Sequence, residues 1–71
     1  MEAETLRGLE QHCPLRLTMN NGEVFDVMRP EFMMVSDYEV TVMVPRRGAM
    51  RNVTLGLLNI ASAEPIGANA E

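Results

Sequence analysis

The spacing of apolar positions changes at Pro14. Before it, Ala3, Leu6, Leu9 and Cys13 recur every three or four residues and form one stripe. That period predicts a short helix over residues 2–12. Glu2 and Glu4 fall in its first turn, where the helix dipole favours acids. Pro14, which has no amide hydrogen, ends it. A helix this short is marginal alone and must lean on the rest of the chain.

From Leu15 the period is two. Leu15, Leu17 and Met19 alternate with Arg16 and Thr18, and Asn20-Asn21-Gly22 is a strong hairpin signal. A two-residue loop at Asn21-Gly22 would set Leu17 opposite Asp26. A three-residue loop over Asn20–Gly22 sets Leu17 opposite Phe25 and Leu15 opposite Val27. Cross-strand partners share a face, so only the second register gathers these four side chains in one core layer. It implies a type I turn with Gly22 left-handed at a bulge. Thr18 and Val24 then face the other way.

Arg29-Pro30-Glu31 interrupts the ladder, because Pro30 donates no hydrogen bond. Phe32–Val35 reads as a short strand and Ser36-Asp37 as a turn. Tyr38, Val40, Val42 and Val44 alternate with Glu39, Thr41 and Met43. Pro45-Arg46-Arg47-Gly48 is a second turn. Arg51–Leu57 alternates again, with Val53, Leu55 and Leu57 apolar. Leu58–Ser62 reads as a last strand with Leu58 and Ile60 inward. One domain over residues 1–66 follows, with a mobile tail at 67–71. Without a crossover helix the strands must be antiparallel. One helix and five or six short strands with one apolar face predict a mainly β fold. Its sheet is strongly bent or curled into a small barrel.

Composition narrows the function classes. The chain has 71 residues, 46% hydrophobic, with net charge −4. That apolar fraction excludes an intrinsically disordered chain. Apolar runs of four residues or fewer exclude a membrane helix, which needs about 20. The acidic start lacks a basic-then-apolar leader, and a single cysteine excludes an intrachain disulfide, so a cytoplasmic setting is expected. All six cations are arginine. The acidity sits at the two ends, and residues 13–63 balance five arginines against five acids. This lacks the basic footprint of general nucleic-acid binding. Arg46, Arg47 and Arg51, with Arg16, remain as the candidate anion or RNA contact. A solvated hairpin tip is the plainest reading of that cluster.

Nothing in the spacing supports catalysis. His12 and Cys13 are adjacent, which on a helix turns them apart. Zinc wants about four ligands at set spacings. The serines lie in no nucleophile elbow and the glycines are scattered singly, so no cofactor loop is expected. Seven methionines are many for this length. By parity Met43, with Met28, Met50 and Val24, points away from the core layer. A small monomer would leave that face exposed, so these four are the candidate self-association surface. The expected protein is a non-enzymatic module without cofactor, assembling with itself and open to an unknown protein partner.

The run from Pro14 to Gly22 resembles the opening of a group of short, uncharacterised bacterial proteins, with the pattern P-F-R-I-x-L-x-D-G. Arg29-Pro30-Glu31-Phe32 is similar to their H-P-E-F, with arginine for histidine. Leu57-Leu58-Asn59-Ile60 through Glu64-Pro65 resembles their closing L-L-H-I-x-x-I-E-P. The likeness covers residues 14–66. The order of elements also resembles SH3- and Sm-like barrels of five strands. Sm-like proteins form rings and bind single-stranded RNA, which makes RNA binding the alternative function. The Lys-His pair and aromatic platform of that family are missing here, and fold alone carries no function.

Overall fold

The computed structural model describes residues 1–66, so the expected tail at 67–71 lies outside the described residues. The helix α1 spans Ala3–Leu9 and tightens into a 3-10 turn at Glu10–His12 before Pro14. It is shorter than the apolar stripe suggested. Leu6, fully buried, pins it to the sheets.

Six strands follow among the described residues: β1 (Leu15–Met19), β2 (Val24–Val27), β3 (Met33–Val35), β4 (Glu39–Arg46), β5 (Ala49–Gly56) and β6 (Ile60–Pro65). They form two three-stranded antiparallel sheets, β2-β1-β6 and β3-β4-β5, and the sheets do not close on each other. The mainly β class and the N-terminal helix agree with the sequence. A single sheet of five strands does not. The reason is local: Pro30 opens a 3-10 turn over Pro30–Phe32, which ends β2 and swings the chain to the second sheet. Phe32 therefore belongs to that turn and β3 starts at Met33.

The first hairpin has the expected register, with Leu15 opposite Val27 and Leu17 opposite Phe25. Gly22 N–H donates to Met19 O (2.9 Å), Met19 N–H donates to Glu23 O (2.8 Å), and Gly22 sits at φ +91°. Those bonds close a three-residue loop with the left-handed residue at its end. Asn21 Oδ1 accepts from Glu23 N–H (2.9 Å) and stiffens it. The second hairpin turns more tightly than the sequence suggested. Pro45 and Arg46 stay in β4, and only Arg47 (φ +52°) and Gly48 (φ +80°) form the loop. Glycine takes that backbone freely, whereas a residue with a Cβ loses about 1–2 kcal/mol there.

The two sheets and α1 enclose one core, in which Leu15, Leu17, Val27, Val40 and Val42 are fully buried. Parity fails at two points. Tyr38, expected inward with Val40, is 83% exposed. The Ser36 N–H donates to Glu39 O (2.8 Å), which closes the chain reversal at Asp37-Tyr38 and leaves Tyr38 in the loop, outside β4. Leu58, expected inward in the last strand, is 88% exposed, whereas Leu57, expected inward with Val53 and Leu55, is buried at 3%. A 3-10 turn at Leu57–Asn59 carries the chain from the second sheet back to the first and resets the alternation. No helix among the described residues is long and apolar enough to cross a membrane.

Candidate functional site

The arginines separate into two groups. Arg16 lies opposite Asp26 on the outer face of the first hairpin. Its Nε and Nη2 donate to the two carboxylate oxygens (2.9 and 3.1 Å). Both side chains stay substantially exposed, so the pair contributes little to stability. The hydrogen bond from Arg16 holds the Asp26 carboxyl below its ordinary range against partial desolvation. Glu64 of β6 flanks Arg16 from the other side. Arg16 is thus occupied and does not join the hairpin-tip cluster. Arg46 and Arg51 share the inner face of the β4–β5 tip, with Arg47 at its apex. The Arg46 guanidinium lies 4.8 Å from the Phe25 ring centroid, a cation–π contact. No acidic side chain among the described residues pairs with any of these three.

Two of the expected self-association residues come from β2 and its end, and two from the β4–β5 hairpin. Val24 and Met28 are exposed and border a cleft with Pro45 and Arg46, between β2 and β4. Met50 is exposed opposite Pro45 on the same tip. Met43, half-buried, shares the outer face of the second sheet with Met50, diagonally across the ladder, and borders Phe32, Met34 and Asn52.

The strand edges differ in how well they are protected. Ladder phase follows from the flanking bonds, because residues alternate between bonding their neighbour and facing away. On β2 only Val24 and Asp26 face away, on a strand of four residues carrying a charge. On β3 the outward Val35 carbonyl already accepts from Arg7 Nη2 (3.1 Å). On β6, Ile66 N–H donates to Pro14 O, so residue 65 faces outward, and there proline has no donor. A register shift opposite Thr18 and Met19 also breaks that edge. On β5, Leu57 N–H donates to Tyr38 O (2.9 Å), so Met50, Asn52 and Thr54 present N–H and C=O outward. This edge is eight residues long, has no proline or register shift, and carries one charge, Arg51. It alone among the described edges lacks the usual devices against strand addition.

A broad concavity among the described residues lies where parity failed. It encloses about 550 Å³ between the N-terminus, the Asp37-Tyr38 reversal and the 57–59 turn. Met1, Ala3, Tyr38, Leu57 and Leu58 give it apolar walls, and Glu2 and Asp37 border it. The Met1 ammonium donates to Leu57 O (2.9 Å). Sequence reasoning missed this groove because it assigned Tyr38 and Leu58 to the interior.

Chemistry elsewhere is sparse. Burial, with Glu10 and Glu31 nearby, pushes the Cys13 thiol up and keeps it protonated, which makes it a poor nucleophile. No group of three metal-ligating side chains occurs among the described residues. Comparison with family models, with curated proteins and with solved structures finds no match in any of the three.

Proposed function

We propose that the chain is a non-enzymatic interaction module that associates with itself by adding the β5 strand of one copy antiparallel to β5 of a second. The single observation behind this is the unprotected eight-residue β5 edge, set against three edges that are short, capped or interrupted. A twofold axis at Asn52 places Met50 opposite the second copy's Thr54 and Arg51 opposite its Val53. That register keeps the two Arg51 side chains from facing each other directly. Each added backbone bond contributes about 0.5–1.5 kcal/mol net, and association costs at least about 4 kcal/mol. A dimer resting on this ladder is therefore weak and concentration-dependent. In the same reading the two sheets are halves of an SH3- or Sm-like small barrel. β2 and β3, split by the Pro30 turn, take the place of one bent strand, which makes five. The cytoplasm is the expected setting.

Asn52→Pro tests the reading. It removes one outward donor and no bond to β4, so the fold is expected to stay and the dimer to go. Light scattering over a concentration series reads the mass. A folded Asn52→Pro variant that associates like the parent refutes β5 pairing.

A second reading is RNA binding at the hairpin tip, favoured by Arg46, Arg47 and Arg51, which have no acidic partner among the described residues. It has lost Arg16 to Asp26. Its test is single-stranded RNA binding that weakens steeply with salt and disappears in Arg46→Glu/Arg47→Glu.

A further inference from the structure

We infer that the groove bordered by Met1, Tyr38 and Leu58 is a guanidinium receptor, and that it takes the arginine hairpin tip of a second copy, head to tail. The groove offers what a guanidinium binds. Tyr38 is an exposed aromatic ring, and an aromatic face attracts a stacked planar cation. Asp37 and Glu2 supply carboxylates at the rim, and carboxylates match the guanidinium fork. Leu58 and Met1 give apolar surface for an arginine stem, which packs well on such walls. No arginine lines the groove, and its one cation, the Met1 ammonium, is bonded to the Leu57 carbonyl.

The tip offers the complement. Arg46, Arg47 and Arg51 stand there without acidic partners among the described residues, next to exposed Met50. Arg47 occupies a left-handed position that turn chemistry ordinarily gives to Asn, Asp or Gly. An unfavourable backbone state is retained where it carries a side chain to a place of use, here the apex. The chain has no lysine, so the basic side chains available for self-recognition are guanidinium groups.

Tip and groove cannot meet within one molecule. They close opposite ends of the β4–β5 ladder: Arg46 pairs with Ala49 at one end and Glu39 with Gly56 at the other. Seven strand steps separate them by about 23 Å. The contact is therefore between copies. Because it joins two different surfaces it leaves one tip and one groove free, and it extends assembly past a dimer. It needs no backbone bond of the β5 edge and no twofold axis, so it stands whether or not β5 pairs.

The test uses complementary variants, both built on Asn52→Pro to silence β5. Asp37→Arg/Tyr38→Ala disables the groove, and Arg46→Glu/Arg47→Glu disables the tip. All four positions are exposed, and circular dichroism confirms folding. Asn52→Pro alone is expected to self-associate by sedimentation, weakening at least roughly tenfold in high salt. Each disabled variant is expected to lose that association by roughly tenfold or more. An equimolar mixture of the two is expected to recover a one-to-one complex, since one supplies a tip and the other a groove. A mixture that stays monomeric overturns the inference, and so does either disabled variant associating as well as Asn52→Pro. A peptide spanning residues 43–52 is expected to compete, whereas a scrambled peptide of the same composition is not. Equal competition by the scrambled peptide also overturns the inference, because the groove would then take any arginine peptide.

Discussion

Leu57 and Leu58 are neighbours of identical chemistry, and the fold assigns them opposite fates. Truncating each to alanine separates the structure from strand parity. Leu57 is 3% exposed and Leu58 is 88% exposed. Removing a buried leucine side chain costs about 2–5 kcal/mol, the sum of lost transfer energy and the cavity left behind. Leu57 also borders the groove, so the cavity opens to solvent and the cost falls toward about 2–3 kcal/mol. A domain of this length has about 4–10 kcal/mol of stability in all. Leu57→Ala thus removes a large share of it. At about 4–8 °C per kcal/mol, the melting temperature is expected to drop by roughly 10–20 °C. Leu58→Ala exposes no core, and a change within about 0.5 kcal/mol is expected. Thermal and urea unfolding followed by circular dichroism measure both, at a protein concentration low enough to keep association out of the midpoint. If Leu58→Ala destabilises as much as Leu57→Ala, the 3-10 corner is wrong, and so is the groove built on it.

Three further outcomes follow from the same structure. Gly22→Ala, at φ +91° with open space around the added carbon, is expected to lose about 1 kcal/mol from backbone strain alone, read as a lower urea midpoint with unchanged slope. The Asp26 carboxyl has a lowered folded pKa, so its contribution is present above the ordinary carboxylate range and lost as pH falls through the folded value. Melting temperatures from pH 7 to pH 2.5 are expected to show a small acid-side loss that Asp26→Asn removes. A loss of equal size in Asp26→Asn assigns it to other acids. Val53→Pro, which breaks a bond to β4, is expected to cost about 3 kcal/mol or more and to unfold much of the population, whereas Asn52→Pro spares that ladder. Equal unfolding of the two would show that the β5 ladder phase is reversed.

What the sequence made legible and what it hid have one physical basis. The first hairpin was readable because Leu15, Leu17, Phe25 and Val27 need a common face and only one loop length provides it; the observed register is that one. The valines of β4 were readable for the same reason, their period being unbroken from Val40 to Val44. The Leu57-Leu58 pair was not readable in this way: alternation carried forward from Val53 puts Leu57 inside, alternation carried back from Ile60 puts Leu58 inside, and one continuous strand cannot satisfy both. The choice is made by the crossing between sheets, a tertiary event. Gly56 belongs to that crossing: a Cβ there would come within 3.1 Å of Asn59 Nδ2, so the corner folds close upon itself. Tyr38 was hidden by the same kind of event, because the bond between Ser36 and Glu39 ends the strand one residue after it. Parity arguments hold inside a strand and lapse where the chain reverses or changes sheet. An apolar side chain at such a place is not claimed by the core and is left to the surface. Tyr38 and Leu58 were left there together, on two reversals joined by the Leu57–Tyr38 hydrogen bond, and between them they border the groove of about 550 Å³. Local rules fail most informatively where a surface has another use. That is why the guanidinium receptor is placed at this end, and not at the methionines that strand parity first singled out.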